Sequence, residues 1–350
     1  MAYISFQPKD YFNTKLYTGN GSTNAITGVG FQPDFVWQKS RSNGEGHGLF
    51  DVLRGVTNRI QSNTDGATSS QAGSLTAFGS DGFTVGGSPN NDAANGNGQT
   101  FASWNWKANG AGSSNTDGSI TSTVSANTTS GFSISTYTGT GANATVGHGL
   151  GVAPKVVLIK QTNGTAWWFM YHNDLGTTGK LNLNTTGYNN DLQASYWNST
   201  APSSSVFSLG TEASVNGSSQ NFVAYCFAEK QGYSKFGSYV GNGSTLNSPF
   251  IYTGFKPAFV MVKASSISGN EWNMWDNKRN PYNVADKVLW ANTSNTEAEI
   301  AYDYDIDMLS NGWKARTADA RLNQSGATYI YMAFAEEPLV SSNGVPATAR

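Results

Sequence analysis

The chain has 350 residues, a formal net charge of −2 and 13% charged residues, about half the usual share. Forty glycines stand beside 18 Phe, 16 Tyr and 10 Trp, a composition too aromatic and too weakly charged for a disordered chain. One cysteine excludes an internal disulfide framework and a cysteine-based zinc site, the near-neutral charge gives no footprint for nucleic acid, and no run approaches the roughly 20 apolar residues of a membrane-spanning helix.

Residues 1–16 read as an N-terminal docking arm, with the aromatic segment Met1 to Phe12 available to another protein. The start lacks a basic n-region and an apolar h-region, so no signal peptide is expected. From Tyr17 the chain repeats itself, the strongest signal it carries. The first unit, 17–108, opens on Tyr17-Thr-Gly-Asn-Gly-Ser and continues with Gly30-Phe-Gln-Pro-Asp-Phe-Val-Trp-Gln-Lys39. That run is apolar on both faces, which predicts a covered strand, and proline at its start costs little. Leu49-Phe-Asp-x-x-Arg-Gly55 follows, then Ser80-Asp-Gly-Phe83, a hairpin signal. The unit closes on Phe101-Ala-Ser-Trp-Asn-Trp-Lys, where Ala102, Trp104 and Trp106 share one side of a strand.

Residues 109–134 are rich in Gly, Ser, Thr and Asn and read as a linker holding one strand. The second unit, 135–232, repeats the landmarks as Tyr137-Thr-Gly-Thr-Gly, Gly151-Val-Ala-Pro-Lys-Val-Val-Leu-Ile-Lys160 and Phe222-Val-Ala-Tyr-Cys-Phe. It lacks the Leu-Phe-Asp-x-x-Arg-Gly form and the Asp-Gly turn. The third, 233–337, has Tyr239-Val-Gly-Asn-Gly, Gly254-Phe-Lys-Pro-Ala-Phe-Val-Met-Val-Lys263, Ser310-Asn-Gly-Trp313 and Tyr329-Ile-Tyr-Met-Ala-Phe. A polar tail, 338–350, ends the chain. Helical periodicity is confined to short stretches around Asp51–Gly55 and Pro281–Lys287. The expected fold is all-β: three homologous β-sandwich domains in tandem, jelly-roll-like.

Candidate sites are few. His47, His148 and His172 fall at non-equivalent positions of the repeat and read as ordinary surface or loop residues. Asp303, Asp305 and Asp307 alternate with Tyr304, Ile306 and Met308. Three carboxylates on one strand face suit either a hard cation such as Ca²⁺ or a solvated edge that blocks aggregation, and the second is favoured. Trp37, Trp104, Trp106, Trp313 and Phe334 are read as core. Trp167, Trp168, Trp272, Trp275 and Tyr282 cluster after the loop that follows the Lys160 and Lys263 strands. They suit stacking on sugar rings or a protein interface, against the alternative of a second core strand. Lys39, Lys160 and Lys263 recur at one offset and read as gatekeepers at strand ends. No catalytic residue, resident metal or cofactor is assigned.

The series from Tyr-Thr-Gly-x-Gly through Leu49-Phe-Asp-x-x-Arg-Gly55 to Trp-x-Trp-Lys resembles a domain of unknown function common in phages of marine bacteria. Asn343-Gly-Val-Pro-Ala-Thr-Ala-Arg350 is similar to the endings of those proteins. The resemblance spans essentially the whole chain. It implies a non-enzymatic virion structural protein, made in the host cytoplasm: a tail-fibre or receptor-binding component that contacts a host surface glycan or protein. Other virion proteins and further copies of the chain, as a trimer, are the implied partners. A purely structural capsid-decoration, head-fibre or tail-assembly role and a glycan depolymerase are the alternatives.

Overall fold

A computed structural model describes residues 4–87, 92–299, 304–340 and 346. Strand accounts for 42% of residues and helix for 5%, so the chain is all-β, in several antiparallel sheets of which none closes on itself. Three main sheets share one core order. In the first, Phe12–Thr18 pairs with Thr100–Trp106, then Phe35–Ser40, then Gly48–Asp51. The second runs Phe132–Thr138, Asn221–Phe227, Val156–Gln161, Phe169–His172. The third runs Ser234–Val240, Thr328–Pro338, Phe255–Ala264, Asn273–Asp276. The recurrent apolar runs are therefore third in each order, flanked by strands on both sides, as their two-faced apolarity predicts.

Period-2 alternation explains the layering. Phe35 and Trp37 enter one apolar cluster while Val36 enters another; Val156 and Leu158 part from Val157 and Ile159; Phe259 and Met261 part from Val260 and Val262. One face of each of the three sheets, bearing Phe35 and Trp37, Val156 and Leu158, and Phe259 and Met261, meets in the largest cluster. At its centre the rings of Trp106, Phe227 and Phe334, one from each closing strand, touch pairwise at 6.2, 5.5 and 5.8 Å between centroids. The opposite faces are covered by small outer sheets: Asn24–Thr27 with Gly82–Val85 and Leu75–Gly79, Ala144–Gly147 with Val206–Leu209, and Phe250–Tyr252 with Gly312–Ala315 and Ile306–Leu309. Trp37, Trp104, Trp106, Trp313 and Phe334 are buried, as read from sequence.

Loops stitch the main sheets in a ring. Thr68 N–H donates to the Thr162 carbonyl (2.8 Å), Asn189 N–H to Ser265 (2.9 Å) and Glu297 N–H to Arg41 (2.8 Å), joining first to second, second to third and third to first. Each acceptor lies two residues beyond the recurrent lysine.

Several expectations change. Of the supposed docking arm, Ile4, Pro8 and Phe12 are buried, Phe6 packs edge-on against Tyr11 and Tyr233, and Phe12 begins a strand. Met1–Tyr3 lie outside the described residues. The supposed linker supplies Ser113–Asn115 and Ser122–Asn127 as added strands on the second sheet. Pro338, assigned to the tail, still pairs with Phe255, while 341–345 and 347–350 lie outside the described residues. The two hairpins form, but their loops are Ser80-Asp81 and Ser310-Asn311, and the glycines open the next strands. Close approach requires this: a Cβ on Gly82 would lie 2.0 Å from the Ile26 carbonyl oxygen, and on Gly312 2.1 Å from that of Ile251.

Candidate functional site

The residues that recur in sequence turn out to be structural. Each Tyr-x-Gly-x-Gly turn is clamped by one buried asparagine: Asn95, Asn216 and Asn323 accept from the backbone N–H of Asn20 (3.0 Å), Thr140 (2.9 Å) and Asn242 (2.8 Å). The tyrosine hydroxyls of Tyr17, Tyr137 and Tyr239 donate to the carbonyls just before those asparagines, at 2.8, 2.7 and 2.7 Å. Burial pushes all three phenols far above their ordinary range.

Lys39, Lys160 and Lys263 are fully buried rather than gatekeepers at the surface. Each ammonium donates to the next residue's carbonyl (2.6, 2.9 and 3.0 Å), and two reach across a seam, Lys160 to Asp65 (3.0 Å) and Lys263 to Thr186 (3.3 Å). Desolvation lowers all three to about 8. The histidines are also buried, not surface residues. In each, Nδ1 accepts an N–H, from Trp37, Leu150 and Asp174, so Nε2 carries the proton and donates to the Trp290, Ser203 and Tyr331 carbonyls. Burial holds them neutral, with His172 lowered to about 4.

The predicted aromatic cluster divides. Trp168 and Trp272 are buried, their indole N–H groups donating to the carbonyls of Gln61 (2.8 Å) and Asn182 (3.1 Å) on loops distant in sequence. Trp275 lies in the core under the third outer sheet. These three match the packing alternative and are closed to a surface ligand. Trp167 and Tyr282 are exposed, at 51% and 76%. Asp303 lies outside the described residues, Asp307 pairs with Arg316 at 3.3 Å, and Tyr304, Ile306 and Met308 are buried on the other face as the alternation predicts. Among the described residues no group of three or more His, Cys, Asp or Glu could hold a metal ion.

Exposed apolar side chains are most numerous in the segment that contains the first strand of the third outer sheet. Among the described residues ten large apolar side chains are exposed, and six of them fall between Val240 and Val284. On Phe250–Tyr252, Ile251 points inward and Phe250 and Tyr252 outward, about 7 Å apart along the strand. Their cross-strand partners are Lys314 and Gly312, followed by Asp307 and Leu309. Gly312 leaves the floor flat: a Cβ there would come within 3.0 Å of the Phe250 ring. Beyond Leu309, Asn283 exchanges two hydrogen bonds with the Met308 backbone (3.0 and 2.8 Å), which fixes the loop bearing Tyr282 and Val284 at the sheet's edge. At strand spacing the face is about 14 Å across. The same positions hold Ala25 and Thr27 on the first outer sheet and Thr145 and Gly147 on the second. Phe250 and Tyr252 escaped the sequence reading. The available signal was an aromatic pair at i, i+2 where the other two copies of the segment carry small residues.

The chain matches a family described as a domain of unknown function (DUF7483) over residues 7–338, nearly its whole length, and belongs to that family. No curated protein and no solved structure matches it.

Proposed function

We propose that the chain is a non-enzymatic structural protein of a phage particle, made of three homologous β-sandwich copies, whose third outer face contacts glycans of the host cell surface. Support for the copies comes from the shared strand order, the three asparagine clamps and the ring of seam bonds. The observation that carries the functional reading is the pair Phe250 and Tyr252, exposed side by side over Gly312 where the other outer sheets carry small residues. Exposed aromatic rings on a rigid strand offer apolar area at little entropic cost, suited to the apolar face of a pyranose. Lys314 and Asp307 beside them can bond its hydroxyls.

Adsorption of the purified chain to host cells, and its competition with phage for attachment, test this. The double variant Phe250→Ala, Tyr252→Ala should bind about tenfold more weakly or worse, since truncating an aromatic anchor costs about 2 kcal/mol or more. A wild-type chain that neither adsorbs nor competes, or a variant that adsorbs equally well, contradicts the proposal.

A further inference from the structure

The three seams share one pair of facing positions, and its chemistry differs from seam to seam. Each seam lies between the residue that follows the fourth strand of one main sheet (Val52, Asn173 or Asn277) and the third residue of the next sheet's first strand (Ile134, Phe236 or Thr14). At the seam from first to second sheet both are apolar and pack in the shared core; from second to third, Phe236 does so. From third to first, both are polar. There a pocket of about 320 Å³ opens, lined by Thr14, Asn277, Lys9, Lys278, Glu336 and Glu337 among others. Thr14 is 5% and Asn277 2% exposed, and neither the threonine hydroxyl nor either amide atom of Asn277 has a hydrogen-bond partner.

Two polar side chains buried without partners cost stability that the apolar pair at the first seam does not. The strand Phe255–Ala264 also carries register shifts at Lys256/Pro257 and Pro257/Phe259, beside the Asn277 N–H that donates to Ala258 (2.9 Å). Such irregularities re-aim side chains next to functional sites. We infer that this seam pocket binds an uncharged polyol of monosaccharide size. A sugar hydroxyl both donates and accepts, as do the amide of Asn277 and the hydroxyl of Thr14. The amide torsion is soft, so the side chain can turn from the floor toward a ligand. The charged lining residues are two lysines and two glutamates, which gives no preference for an ion of either sign; Glu336 is ion-paired with Lys256 at 3.7 Å. The volume falls at the small end of ligand pockets.

The test is titration of the full chain with free aldohexoses and N-acetylhexosamines, with acetate and ammonium as charged probes, followed by amide chemical shifts. At least one sugar should shift the Asn277 side-chain amide and its neighbours. Thr14→Val with Asn277→Val, which imitates the apolar first seam, should weaken that sugar about tenfold or more while leaving the fold intact and at least as stable. Phe250→Ala with Tyr252→Ala should leave the pocket titration unchanged, so failure of the outer-face proposal is read separately. No response to any sugar, an equal response in the seam variant, or a stronger response to either ion overturns the inference.

Discussion

Lys39, Lys160 and Lys263 show how a recurrent residue can be seen and misread. Their equal offset was plain, but a lysine at a strand's end reads as solvated, and the carbonyls that two of them reach, of Asp65 and Thr186, lie on loops far away in sequence. The asparagine clamps were missed for a simpler reason. Asn95, Asn216 and Asn323 each stand six residues before the aromatic that opens the closing strand, a spacing visible in the sequence but hidden among many Asn and Gly residues. The lysines make a testable statement about pH. In the folded chain they lose their protons near pH 8, against an ordinary value of 10.5. Below pH 8 both states are charged and the cost of burial is fully present. As pH rises from there, the native state deprotonates first, the unfolded chain holds more protons, and stability increases. The Cys226 thiol, raised by burial, opposes this with a single proton, and buried tyrosines reverse the trend above pH about 10. Urea midpoints should therefore be higher at pH about 9.5 than at about 7.5, and less so in Lys160→Met. A midpoint that falls over this interval would mean that the ammonium groups are hydrated.

At the scale of elements, Leu-Phe-Asp-x-x-Arg-Gly is a seam device. The Asp51 carboxylate accepts from Leu53 N–H, Arg54 N–H, Arg54 Nε and, across the first seam, the Tyr225 hydroxyl (2.7 Å). Asp276 repeats the pattern with Lys278, Arg279 and the Trp104 indole (3.1 Å). At the second seam His172 takes this place, its Nε2 meets the Tyr331 carbonyl (3.4 Å), and the residue corresponding to Tyr225 and Trp104 is the apolar Met332. The missing motif of the second unit was thus legible, but the change that accompanies it on the next sheet was not. Asp51→Asn should lower stability by about 3–5 kcal/mol, because it leaves the Arg54 guanidinium buried without its charge partner. Tyr225→Phe should cost about 1.5–3 kcal/mol, the value of a hydrogen bond to a charged group. Denaturant midpoints measure both, and a loss below about 1 kcal/mol for Asp51→Asn would remove the pair from the seam's stability. Strand identity and hairpin position were readable because alternation and Gly punctuation are local. Of the two added strands of 113–127 one was expected, but not its place in the second sheet, since their polar sequence gains its place by pairing at an edge.

For the whole molecule, the sequence shows recurring landmarks but not how the segments that carry them meet. In the structure each main sheet gives one face to a cluster common to all three, with Trp106, Phe227 and Phe334 at its centre. No main sheet can bury that face alone, so a rigid body that holds the Phe250–Tyr252 face and the seam pocket should exist only with all three sheets in place. Native-state hydrogen exchange of the closing strands Thr100–Trp106, Asn221–Phe227 and Thr328–Pro338 tests this most directly. The inward-core amides of all three strands should exchange together, through one global opening whose free energy equals that of complete unfolding. If one strand's amides exchange through a lower-energy opening while the other two stay protected, the sheets are separate units and the shared core is not what holds the molecule.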